Sequence, residues 1–134
     1  MNRKIVESLD QRFATLINSL KDLAGSVPPD LLLRSAAVVE QMCGGLTANL
    51  WDDPFEWTLP ETLSNTDRII EYLSEVDLAR QRAFNSIRDD SALTKYISAP
   101  TGEQLLVNLL LETLVKASDY RGRAVATRLL SGST

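Results

Sequence analysis

Two side chains capable of proton chemistry stand four residues apart near the end of the chain, Lys116 and Tyr120. On a helix that spacing puts both on one face. A tyrosine hydroxyl can donate a proton, and a neighbouring ammonium lowers its pKa or holds an anionic group, so the two form a candidate acid/base pair. The competing use of the same residues is structural, with Tyr120 a core aromatic and Lys116 a surface cation paired with Glu112. The single cysteine, Cys43, has no histidine or cation close in sequence to favour its thiolate and reads as inert packing. Glu71 and Glu75 share a helix face and could touch a hard metal, but carboxylates at that spacing are more often solvated. Arg121, Arg123 and Arg128 make a short basic stripe, fewer cations than a phosphate-binding surface needs, and read as a solvated helix face.

The chain contains no histidine. That excludes Ser-His-Asp and Cys-His nucleophile pairs, histidine acid/base catalysis and zinc sites built on imidazole. With 18 acidic against 14 basic side chains the net charge is −4, unfavourable for holding a polyanion, so nucleic acid is not an expected partner. No stretch approaches the roughly 18 uninterrupted apolar residues of a membrane span, and charges occupy the N-terminal region where a signal peptide would carry its apolar core. A lone cysteine gives no sign of an oxidising compartment. The expectation is a soluble cytoplasmic protein without a membrane partner. At 134 residues the chain suits one domain, residues 1–134, able to bury about two-thirds of its unfolded surface.

The elements that must position these residues are helices. Ile5, Leu9, Phe13, Leu16, Leu20 and Leu23 recur at steps of three and four and predict a first helix from about Asn2 to Ala24, stopped by Gly25. Pro28-Pro29 mark a turn with a brief helical piece through Arg34. A second helix is predicted over Ser35 to Trp51, turning Val38, Val39, Met42, Leu46 and Leu50 inward and ending before Asp52-Asp53-Pro54. Gly44 and Gly45 lie inside it, where each costs about 1 kcal/mol against alanine, so they call for a close approach or a kink. Phe55 and Trp57 belong to a loop predicted to cross the bundle end. Ser64 is a predicted cap for a third helix whose inward residues are Ile69 or Ile70, Leu73, Val76, Phe84 and Ile87. Arg88 to Pro100 should pack as a short helical turn through Leu93, Tyr96 and Ile97. Thr101 with Gln104 forms a capping-box pattern opening the longest helix, Gly102 to about Leu130. It is apolar nearly all round from Leu105 to Val115, so its first half is expected to be the most buried element. Glu112 with Lys116, and Asp119 with Arg123, are spaced to support it. The predicted fold class is all-α, an antiparallel four-helix bundle.

The final helix, Leu111-Glu112-Thr113-Leu114-Val115-Lys116-Ala117-Ser118-Asp119-Tyr120-Arg121-Gly122-Arg123 and on to Arg128-Leu129-Leu130, resembles the closing helix of the DinB/YfiT-like superfamily of four-helix bundles. That helix typically reads His-x-x-x-His-Arg-Gly-Gln; Arg121 and Gly122 match the Arg-Gly pair. The layout is also similar, with a leading helix, a Pro-containing turn, a second helix and a long loop before the third. The resemblance implies a metal site made by one histidine of helix two and two of helix four, used by some members for thiol transfer or isomerisation. Here the corresponding positions are Lys116 and Tyr120 on helix four and Gln41 or Met42 on helix two. An ammonium repels a dication, and neither methionine nor neutral tyrosine suits zinc or nickel. The resemblance therefore implies a bundle without the metal and without a cofactor. Its cleft candidates are Gln41, Met42, Lys116 and Tyr120.

The preferred functional reading is a non-enzymatic module that either binds a small-molecule ligand or mediates a protein interaction. The alternatives are an enzyme in which Tyr120 and Lys116 replace the metal, and a structural bundle whose role is homodimerisation. A homodimer is expected because the last helix carries more apolar surface than one inward stripe needs.

Overall fold

The computed structural model describes residues 2–52 and 65–131. Four helices dominate them: α1 (Lys4–Leu23), α2 (Pro29–Ala48), α3 (Thr66–Asn85) and α4 (Leu106–Ser131). A short 3-10 helix (Asp90–Thr94) and an antiparallel hairpin, β1 (Tyr96–Ala99) with β2 (Gly102–Leu105), lie between α3 and α4. The predicted loop residues Phe55 and Trp57 and the predicted cap Ser64 lie outside the described residues.

Local chemistry explains the boundaries. α1 stops where Gly25 takes a φ of +88°, open to glycine, and Gly25 packs against Thr66 at the start of α3. α2 begins earlier than expected. Pro29 occupies its first turn, where a missing N–H is harmless, so the brief helical piece and helix two are one helix. Ser35 is thus a buried interior residue, its Oγ donating to the Ala117 carbonyl of α4 at 2.6 Å. α2 also ends earlier, at Ala48, because Asn49 adopts a left-handed φ of 55° and turns the chain back. Asn65 caps α3, its side chain accepting from the Arg68 N–H at 2.9 Å.

The region before α4 departs most from expectation. Thr101 and Gln104 do not form a capping box. Pro100-Thr101 form the tip of the hairpin, Gly102 opens β2 at φ +117°, and α4 starts at Leu106. Leu93 packs into the core from the 3-10 helix as expected of a short helical turn, whereas Tyr96 and Ile97 belong to β1.

α2 lies between α4 and α3, and α3 packs in turn on α1. Asp10 of α1 pairs with Arg80 near the end of α3, and Arg3 Nη2 donates to the Phe84 carbonyl at 3.0 Å, so α1 and α3 are antiparallel. The end of α2 reaches the hairpin that precedes α4, while Ser35 near its start meets Ala117, so α2 and α4 are antiparallel too. α2 and α3 both start beside the end of α1 and run in the same direction, with residues 49–65 connecting them.

The core is built on Phe13, Phe84, Ile17, Leu20, Leu73 and Leu110, with the Phe13 and Phe84 rings tilted at 5.5 Å. One inward assignment shifts by a position: on α1, Val6 is buried while Ile5 is exposed, and Ile17 joins the expected Leu16 in the core. On α3, Ile69 is the one of the two alternatives that faces in. Leu50 is exposed beyond the end of α2. The first half of α4 is not the most buried element, because Leu111 and Val115 are 45% and 69% exposed. Among the described residues, no helix is long and apolar enough to cross a membrane.

Candidate functional site

A cavity of about 500 Å³ opens between α2, α4 and the hairpin. Its apolar lining comes from Val38, Met42 and Leu109, with Trp51, Ala99 and Pro100 closing one end. Polar groups also line it: Gln41, Thr101, Gln104, Glu112, Thr113 and Lys116. Met42 and Thr113 are buried at its floor; Glu112 and Lys116 are exposed at its rim.

The wall at Trp51 explains the two glycines of α2. After Asn49 reverses the chain, the Leu50 carbonyl lies where a Cβ on Gly44 would come to 2.8 Å. The Trp51 ring lies flat on Gly45, where a Cβ would come to 2.3 Å of the indole. Close approach, not a kink, is what these glycines serve. Two hydrogen bonds fix the returning segment: Gln41 Nε2 donates to the Trp51 carbonyl at 2.7 Å, and Trp51 Nε1 donates to Asn49 Oδ1 at 2.9 Å. Gln41 therefore shapes the cavity by holding Trp51 as well as lining it.

Three of the four sequence candidates, Gln41, Met42 and Lys116, meet in this cavity. Tyr120 does not line it. One turn further along α4, Tyr120 is half-buried with the Arg123 guanidinium carbon 5.8 Å from its ring centroid, within cation–π range. Arg123 also pairs with Asp119 at 3.0 Å, so part of the basic stripe is engaged within α4 itself. The other predicted support of α4 is arranged differently, with Glu112 and Lys116 both set at the cavity rim.

The lining residues not anticipated from sequence are Trp51, Leu109, Thr113 and those of the hairpin. For Trp51 the glycine pair is the sequence signal, since the bare backbone of Gly45 is what its ring covers; Leu109 and Thr113 lie in or beside the apolar run of the last helix and carry no mark of a cavity. The hairpin's part in the wall left no such trace.

A second polar cluster sits across α2, between α1 and α3. Tyr72 Oη donates to Glu40 Oε2 at 2.7 Å. Arg80 is buried and bridges Asp10 and Asp77, the latter from Nε at 2.8 Å. Burial pushes the Glu40 carboxyl above its ordinary range, partly offset by the Tyr72 hydrogen bond and reinforced by Glu75. Burial also drives the Cys43 thiol up to about 12, which agrees with an inert packing role. Glu71 and Glu75 are exposed on α3, and no three potential ligands from His, Cys, Asp or Glu gather to hold a metal among the described residues.

No family model, curated protein or solved structure matches this chain.

Proposed function

We propose that this chain is a binding module of the DinB/YfiT-like kind, without that family's metal-ligating histidines, whose cleft between α2 and α4 takes a small, largely apolar molecule. The observation that carries the reading is the cavity of about 500 Å³ that brings Gln41, Met42 and Lys116 together. Its size falls within the roughly 300 to 1,000 Å³ of small-molecule sites, and an apolar lining joined by a few polar groups is how such sites combine affinity with orientation. Met42 offers an adaptable surface, the Trp51 face a stacking platform, and Lys116 and Glu112 charges of either sign at the mouth. The enzyme reading draws no support from this arrangement, because Tyr120 stands outside the cavity beneath Arg123.

A fragment library screened by heteronuclear NMR tests the proposal. The reporters are the Trp51 indole N–H, the Gln41 side-chain amide and the Met42 methyl, with Thr113→Trp as a variant whose indole fills the cavity. Fragments should shift these three signals together in the native protein and leave them still in the filled variant. Fragments that leave them still in both, or move them equally in both, overturn it.

A further inference from the structure

We infer that the outward face of α4 docks antiparallel on the α4 of a second copy of this chain. Leu106, Leu110, Thr113, Ala117 and Ala124 face the core. At 100° per residue, the positions within about 50° of the opposite direction are Asn108, Leu111, Val115, Asp119, Gly122, Ala126 and Leu129, all apolar or small except Asn108 near the start of the helix and Asp119 at the edge of the stripe. Leu111, Val115 and Leu129 are 45%, 69% and 64% exposed, and a Cβ on Gly122 would meet nothing within 4 Å. An apolar stripe along the middle of a helix, interrupted by two small residues, lets a second helix approach closely.

The charges choose the occupant and its direction. Glu112, Lys116, Asp119 and Arg123 all fall on one flank of that stripe, in the order acid, base, acid, base. When two copies of a helix pack antiparallel around a two-fold axis, each flank faces itself in reverse order. This flank reversed reads base, acid, base, acid, so every facing pair is of opposite sign. With the axis between Lys116 and Asp119, Glu112 faces Arg123 of the second copy and Lys116 faces Asp119 of the second copy. Leu111 then settles over the small Gly122 and Ala126 of the other helix. A parallel pair would instead set this charged flank against the half-buried Leu114 and Val125. Glu112 and Lys116 also belong to the cavity rim, so the second copy borders the cavity mouth.

Light scattering and sedimentation equilibrium of the full chain test the inference, with circular dichroism to check that each variant keeps its helices. The native chain should be a dimer at micromolar concentration and Val115→Glu a folded monomer. Lys116→Glu and Asp119→Lys should each weaken dimerisation by about tenfold or more, because each sets like charges opposite one another, and the double variant should recover it. A native chain that stays monomeric at high micromolar concentration overturns the inference, as does a dimer indifferent to Val115→Glu. A dimer that Val115→Glu breaks, but whose two charge reversals fail to compensate, overturns the antiparallel register.

Discussion

Glu40 sits in the bundle because Tyr72 reaches it: the 2.7 Å hydrogen bond joins a carboxylate of α2 to a phenol of α3 in a place largely withdrawn from water. Burial raises the Glu40 pKa above the ordinary 4.5, so the folded protein holds that proton more tightly than the unfolded chain. Its contribution is complete below pH 4.5 and lost as pH rises through the folded value. Glu40→Gln keeps an oxygen for Tyr72 and removes the charge. The variant should melt at a higher temperature than the native protein at pH 7, the difference vanishing towards pH 4, as read from thermal unfolding across that range. Hydrophobic spacing did not reveal this cluster. Arg80 and Tyr72 lie on the inward side of α3, but charged and aromatic-polar residues carry no periodic signal, and Arg80 is tolerated inside only because Asp10 and Asp77 meet it. The same blindness put Ile5 in place of Val6 and left Ile69 and Ile70 undecided, since adjacent apolar residues fit one stripe equally well until a partner helix chooses.

α1 shows how an element can depend on distant chain. Arg3 at its start offers no side-chain cap. The free amides of Ile5 and Val6 instead donate to Asp90 Oδ1 at 3.1 and 2.9 Å, and the Asp90 N–H donates back to the Asn2 carbonyl at 2.9 Å. An acidic side chain at a helix N-terminus also meets the positive end of the helix dipole. Asp90→Ala should therefore destabilise the protein by about 1–2 kcal/mol, the range of a lost cap, seen as a lower urea midpoint with an unchanged slope. Four helices were legible from periodicity, and so were the glycine stop at Gly25 and the need for a close neighbour at Gly44 and Gly45. The hairpin was not, because Thr101-Gly102-Glu103-Gln104 satisfies the pattern of a helix cap as well as that of a turn. The choice fell to Gly102, whose φ of +117° no helix start would use.

At the scale of the whole molecule, the two antiparallel pairs, α1 with α3 and α2 with α4, are set so that α2 contributes to both the cavity and the polar cluster. Connection lengths predicted antiparallel neighbours and could not show that α2 and α3 run together, since residues 49–65 are long enough for either course. Cys43 reports on this assembly from inside α2, 1% exposed and with its thiol pushed up to about 12. Its alkylation at pH 8 should be negligible in the native state and should accelerate in urea in step with the loss of helical signal. Rapid labelling while the helices persist would mean that α2 parts from its neighbours before the fold is lost. The tie between α1 and Asp90 has a further consequence, in time rather than in space. During synthesis α1 is made before α2 and α3, yet the carboxylate that accepts from Ile5 and Val6 is made more than sixty residues after the helix itself is complete. Until then only the Lys4 amide has its local acceptor, Asn2 Oδ1 at 2.9 Å, the next two amides face water, and the long loop that Asp90 must close makes this one of the later contacts to form. The start of α1 is thus completed only by a residue made after both α2 and α3.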